Sequence, residues 1–327
     1  MLLRLIKKSR SAGYLVFILV TTGAWLNHLL TPFEFRFQEK EDLFILFGLI
    51  NNLFADQPLL RTSVALFLLA LNSLLLFRIY REYLFLNSWS LLPAIMFVVL
   101  TSGIPGFQTL HPVWFAIPFL SLSIDRLFVA FDERKPYENL FEAGFFLSLG
   151  SLFYLPLMIL VPAFMIGGYF ITRDARWREI VILLTGAIVP WIFTFAVYFL
   201  LDRSSELSGT IMTLLTSPAE KAGKNIPLLV FAGVTGLLTL AGSYRILRQL
   251  DEKKVSFRKF YTFFFLLFVS TVLAFLFIPS VSGSMLIMTA VPVTFLLSNY
   301  FESTRFGYFG EILFLLIIGL VVYIQLF

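Results

Sequence analysis

Long apolar runs separated by short charged breaks recur along the whole chain. A helix needs about 20 mostly apolar residues to cross about 30 Å of hydrocarbon. Runs of that order predict helices near residues 13–31, 60–80, 88–104, 110–131, 179–201, 226–247, 260–279, 284–300 and 308–326. The run YENLFEAGFFLSLGSLFYLPLMILVPAFMIGGYFIT, residues 137–172, is too long for one ordinary span and short for two. Pro156 and Pro162 fall near its middle, where proline removes a helical N–H and favours a turn, so the run reads as a hairpin. The pattern predicts an all-α polytopic membrane protein with about eleven transmembrane helices.

Composition supports the same class, with 59% hydrophobic residues, 40 Phe and only 14% charged residues. The chain has no cysteine and two histidines, which excludes disulfides, thiolate metal sites and a histidine-rich metal centre. Its net charge of +5 comes from Lys and Arg that flank apolar runs, a topology signal rather than a nucleic-acid footprint. Membrane lipids are therefore the expected surroundings, and no nucleic-acid partner is expected. The N-terminal MLLRLIKKSRSAGYLVFILVTTGAWLNHLL has the basic and then apolar order of a signal sequence. Without a small-residue cleavage site it reads as a retained first helix.

Positive charge orients the spans, since Lys and Arg accumulate in cytoplasmic loops. With a hairpin at 137–172, Arg36, Lys40, Arg61, Arg203, Lys221 and Lys224 fall outside, and the other 19 of the 25 Lys and Arg fall inside. A single crossing there would divide them almost evenly. The N-terminus is thus expected to be cytoplasmic and the C-terminus extracytoplasmic.

Against this background FEFRFQEKEDLFILFGLINNLFADQP, residues 33–58, is unusual, because it gathers charges in the first outer loop. Residues 41–55 are predicted to form a helix along the outer surface. At 100° per residue Leu43, Leu46, Phe47, Ile50, Leu53 and Phe54 share one arc, with Glu41, Gly48, Asn52 and Asp56 opposite. Glu41 and Asp42 suit the N-terminal end of such a helix through its dipole and as capping residues.

A first helix, an acid-bearing outer loop, an interfacial helix and then a dense series of spans resembles the GT-C glycosyltransferases, over roughly residues 10–205. The hairpin AGFFLSLGSLFYLPLMILVPAFMIGGYF resembles the one that follows in that fold. Taken whole, the chain is also similar to an uncharacterised multi-pass inner-membrane family of Bacteroidota. The resemblance implies a single transmembrane domain in a bacterial inner membrane, with a GT-C-like core at 1–205 and additional helices at 206–327. It also implies transfer of a sugar from a polyprenyl-phosphate-linked donor at the outer face. Glu41 and Asp42 hold the position of the family's acidic pair and would take the acceptor's proton. Arg61, with Arg36 and Lys40, would bind the lipid phosphate, and His111 in TLHPVWF would donate to it. The second outer loop, TSGIPGFQTLHP, departs from the family pattern in having no acid.

Two further function classes stand beside the transferase. One is a non-catalytic GT-C-like subunit that scaffolds an envelope export, assembly or polymer-synthesis complex, with other envelope membrane proteins as partners. The other is a small-molecule or lipid transporter, for which charged midplane residues on broken helices are missing. There is no P-loop, dinucleotide fingerprint or zinc signature, and no cofactor is expected. Asp125, Arg126 and Glu142 read as anchors near the cytoplasmic interface. Small residues in GVTGLLTLAG, residues 233–242, predict close helix packing. The outer loop at 201–225 has room for a short surface helix that would present Leu207, Met212 and Leu215 to a partner.

Overall fold

The computed structural model describes residues 3, 6, 10–31, 44–54, 57–83, 90–131, 133–172, 177–218, 226–248, 253–303 and 309–326. Among the described residues there is no strand, and the elements are α1 (Arg10–Leu30), α2 (Phe47–Leu53), α3 (Pro58–Tyr83), α4 (Leu92–Ser102), α5 (Pro112–Val129), α6 (Tyr137–Phe153), a 3-10 turn (Leu155–Leu160), α7 (Val161–Ile171), α8 (Trp177–Leu200), α9 (Ser204–Thr216), α10 (Ile226–Arg248), α11 (Val255–Phe277), α12 (Met285–Ser303) and α13 (Phe309–Leu326). Seven of them, α1, α3, α5, α8, α10, α11 and α12, are long and apolar enough to cross a membrane. The chain is an all-helical membrane protein.

Side-chain and backbone bonds define the two ends of the bundle. At the upper end the Leu46 N–H donates to the Leu152 carbonyl (3.2 Å), and the Gln325 amide donates to the Ser102 carbonyl (3.1 Å). At the lower end the Tyr83 hydroxyl donates to Asp125 (2.9 Å), Arg126 pairs with Glu142 (3.2 Å), and Lys259 Nζ donates to the carbonyls of Ile171 and Thr172 (3.1 and 3.3 Å). Asp125, Arg126 and Glu142 are thus anchors, each held by a neighbouring helix.

Residues 137–172 fold as two antiparallel arms. α6 stops because Tyr154 takes an extended conformation (φ −142°, ψ 95°); Pro156 then opens the 3-10 turn. Pro162 stands in the first turn of α7, where no intrahelical donor is needed. A Cβ on Gly150 would lie 2.6 Å from Leu157 Cδ2, and one on Gly168 would lie 3.6 Å from Leu140 Cδ2, so the second arm returns along the first. α8 then runs parallel to α6, with Trp191 Nε1 donating to Ser151 Oγ at 3.1 Å.

The closest backbone approach in the bundle lies between α6 and α8. A methyl group on Gly144 would overlap the Leu183 carbonyl, and one on Gly186 would overlap the Phe141 carbonyl. Small residues let helices come this near, where packing replaces the hydrophobic effect as the driving force. The expectation of close packing at GVTGLLTLAG is corrected for two of its glycines: Gly233 and Gly236 face open space, while a Cβ on Gly242 would lie 3.0 Å from the Tyr300 ring. The reason is that α10 stands apart from α11 over most of its length and leans on α12 and α13.

The core is built around α4, whose 11 residues are all buried, and α12 beside it. Stacked rings join α12 and α5 to α11, with Phe264 and Phe295 3.9 Å apart and Phe128 and Phe260 4.2 Å apart.

The surface helix expected at 41–55 is shorter. Residues 41–43 lie outside the described residues; a turn at Ile45 and Leu46 leads into α2, which covers seven residues. Pro58 opens α3, and the residue before a proline is driven from helical geometry, which separates the two helices. Phe44 and Phe47 are buried against Tyr154 and Phe115, whereas Leu53 leaves the predicted arc and is 77% exposed. A short helix, α9, forms within residues 201–225 as expected, but Leu207 is buried and only Met212 and Leu215 of the three are exposed.

Candidate functional site

The segment between α4 and α5 folds into the bundle rather than over it: Ile104, Phe107, Gln108, Leu110 and His111 are all buried. Gly106, at φ 88°, occupies the left-handed region open to glycine and turns the chain there. The Phe107 carbonyl then accepts from Trp114 Nε1 at 3.1 Å. His111 caps α5, with Nδ1 accepting the Val113 N–H at 3.1 Å, and Pro112 follows where a helix has no need of a donor. An accepting Nδ1 leaves Nε2 as the protonated nitrogen of a neutral ring.

Tyr154, at the break of the hairpin, links three parts of this end. Its ring lies 5.7 Å from that of Phe44 and 6.4 Å from that of His111. Its hydroxyl shares a hydrogen with Ser284 Oγ (2.7 Å), and Ser284 with Ser282 Oγ (2.5 Å). All three hydroxyls are buried, where an unmet polar group would be costly, so they satisfy one another. Tyr154→Phe removes one of these bonds while keeping the ring. It should lower stability by about 1 kcal/mol, read as a drop in unfolding temperature in detergent; an unchanged midpoint would show that the hydroxyl relay contributes nothing.

Arg61 stands in the first turn of α3, half-buried, with its Nε buried and without a hydrogen bond. Its height above His111 follows from a fixed level. The Asn72 amide donates to the Trp114 carbonyl at 3.0 Å. Arg61 lies eleven residues before Asn72, about 16 Å along α3, and His111 three residues before Trp114, about 4.5 Å along α5. The guanidinium end of α3 therefore rises roughly 12 Å above the sunken loop that ends in His111. The structure does not bring Arg61 and His111 together; it makes one a wall and the other a floor.

Arg36, Lys40, Glu41 and Asp42 lie outside the described residues. The chain just after the acids is described, and it is fastened to Tyr154 and Leu152 beside His111. Sequence reasoning missed Tyr154, Ser282 and Ser284. The available signal was a tyrosine in an apolar hairpin, FYLPL, whose hydroxyl needs a partner when buried, and a serine-rich turn, PSVSGS, between two spans.

Comparison with curated proteins and with solved structures gives no match. Comparison with protein families matches residues 37–326 to DUF6427, a family of unknown function. That match runs through every helix from α2 to α13, and the chain belongs to this family.

Proposed function

We propose that the protein is a membrane-embedded transferase that acts at the outer face of a bacterial inner membrane on a lipid-linked sugar. The observation that carries this reading is the anchoring of the segment after the acid pair. Phe44 packs on Tyr154, whose ring also meets His111. Glu41 and Asp42 directly precede this anchored segment in the sequence. The anchored segment and the sunken floor share one end of the bundle, the end at which Arg61 keeps an unbonded Nε.

In this reaction Glu41 or Asp42 takes the proton of an acceptor hydroxyl as its oxygen attacks the sugar's anomeric carbon. The bond from that carbon to the lipid phosphate breaks, and the phosphate leaves with the electron pair. Arg61, assisted by Arg36, holds the departing phosphate, and His111 shapes the floor beneath it. The upper end is then the outer face, residues 1–205 form the GT-C-like core, and the bundle crosses about eleven times. The hairpin arms support that count: 17 residues of α6 span about 25 Å, and the 3-10 turn with α7 about 28 Å. The test is incubation of proteoliposomes with a radiolabelled polyprenyl-phosphate sugar and a membrane extract as acceptor. The expected result is loss of label from the donor; a donor left intact by folded protein overturns the proposal.

Orientation has its own test. Among the described residues Arg61 and Arg203 are the Lys or Arg at the upper end, while Arg134, Lys135, Arg245, Arg248, Lys253 and Lys254 lie at the lower end, as cytoplasmic residues should. The chain has no native cysteine, so single replacements report cleanly. Ser208→Cys should react with an impermeant thiol reagent on intact cells, and Lys254→Cys only after lysis. Reaction of both from the same side would exclude this topology.

A second reading, the non-catalytic subunit, is favoured by α9. Its Met212 and Leu215 are 63% and 58% exposed at the same end and suit contact with another envelope protein.

A further inference from the structure

Between α4, α10, α11 and α12 lies a cavity of about 260 Å³. Leu228, Phe231 and Leu240 of α10, Phe268 and Phe275 of α11 and Ala290 of α12 make its walls apolar. The hydroxyls of Thr235 and Thr289, also on the wall, donate to the carbonyls of Phe231 (2.7 Å) and Met285 (2.9 Å) within their own helices. Nothing polar is therefore aimed into the space, and an apolar cavity of this kind does not hold water.

Its shape follows the helices. The lining runs from Leu228 to Leu240, twelve residues of α10, which is about 18 Å against roughly 15 Å for half the hydrocarbon thickness of a bilayer. α10 and α11 meet near the lower end, where the Tyr261 hydroxyl donates to Ser243 Oγ at 3.2 Å, and their backbones stand apart above it. Leu240 lines the cavity and is itself 47% exposed; Leu237, Leu273 and Leu276, beside lining residues in sequence, are also exposed. The slot therefore opens sideways onto the lipid-facing surface.

We propose that this slot holds one acyl chain of a bilayer phospholipid, which enters between α10 and α11 from the leaflet at the upper end. Three features select that occupant. The length matches one leaflet, the walls offer only dispersion contacts, and the mouth faces the solvent in which phospholipid is the most abundant molecule. Gly236 has a structural meaning in these terms: it lines the slot and its missing Cβ leaves open space, so the glycine keeps room for a chain rather than for a neighbouring helix. The proposal does not depend on the transfer reaction.

The test counts phospholipid on the full chain after purification and exchange into a mild detergent, by native mass spectrometry and phosphate analysis of the extract. Wild type should retain about one phospholipid per chain. Gly236→Phe puts a ring into the slot and should retain about a tenth as much, the change that about 1.4 kcal/mol of lost binding produces. Gly233→Phe, whose added ring enters open space on the exposed side of α10, should retain the full amount. Gel filtration reports folding, and if the Phe variant aggregates, the smaller Gly236→Leu is judged by the same loss. Equal retention in wild type and the folded Gly236 variant overturns the proposal, as does wild type that carries no phospholipid or carries a polyprenyl lipid instead.

Discussion

Gly186→Leu should remove most of the folded protein, and Gly144→Leu should do the same. At both positions the added side chain meets a carbonyl of the facing helix backbone, not the movable end of a side chain. Overpacking a core typically costs about 1–3 kcal/mol when neighbouring side chains can shift. Here α6 and α8 must separate, which loses contacts along both helices as well, so the cost should approach the whole stability of about 5–15 kcal/mol. The measurement is the yield of monodisperse protein in detergent and its unfolding temperature. Gly319→Ala is the control: it enters open space on α13 and should gain up to about 1 kcal/mol through helix propensity. A Gly186→Leu protein with the wild-type midpoint would show that the two helices do not pack as described.

The double variant Glu41→Gln, Asp42→Asn should leave expression and folding intact and lower sugar transfer by about 10²–10⁴-fold. The amides keep the shape of the carboxylates but cannot take a proton. A capping role predicts a different outcome, a loss of about 0.5–2 kcal/mol of local stability that Asn largely tolerates, with transfer unchanged. Because Phe44 and Leu46 hold this segment to Tyr154 and Leu152 independently of the acids, the variant should remain docked, so loss of transfer would report chemistry rather than detachment. If the double variant restores full function in a deletion strain, catalysis by these acids is excluded and the subunit reading stands.

What the sequence made legible was governed by length and hydropathy. The helices near 110–131 and 226–247 appear within two residues of their expected bounds, since an apolar run of span length admits little else. The hairpin was also legible, because Pro156 and Pro162 break an apolar run at a defined place. Helix neighbours were not. Glycine spacing in GVTGLLTLAG pointed to close packing, but Gly236 lines a cavity, Gly233 faces open space and only Gly242 meets a neighbouring ring, and whether a glycine faces a helix or a gap depends on the third helix nearby. The site was half legible for the same reason. His111 was singled out by its place at the start of a span, yet its burial and its capping bond depend on Gly106 and Phe107 turning the loop inward. Tyr154 and Ser284, 130 residues apart, meet only when α12 is in place.

The burial of α4 bears on how the chain is made. A helix of 11 residues is about 16 Å long and cannot cross a bilayer by itself. Its main neighbour, α12, begins about 180 residues later, which at 5–20 residues per second is about 9–36 s of synthesis. During that interval the segment has no partner along the face that α12 later covers. Only α1 and α3, which precede it and pack against it, can shelter it in the meantime, and slowing translation after residue 103 should expose the nascent chain to membrane proteases for longer.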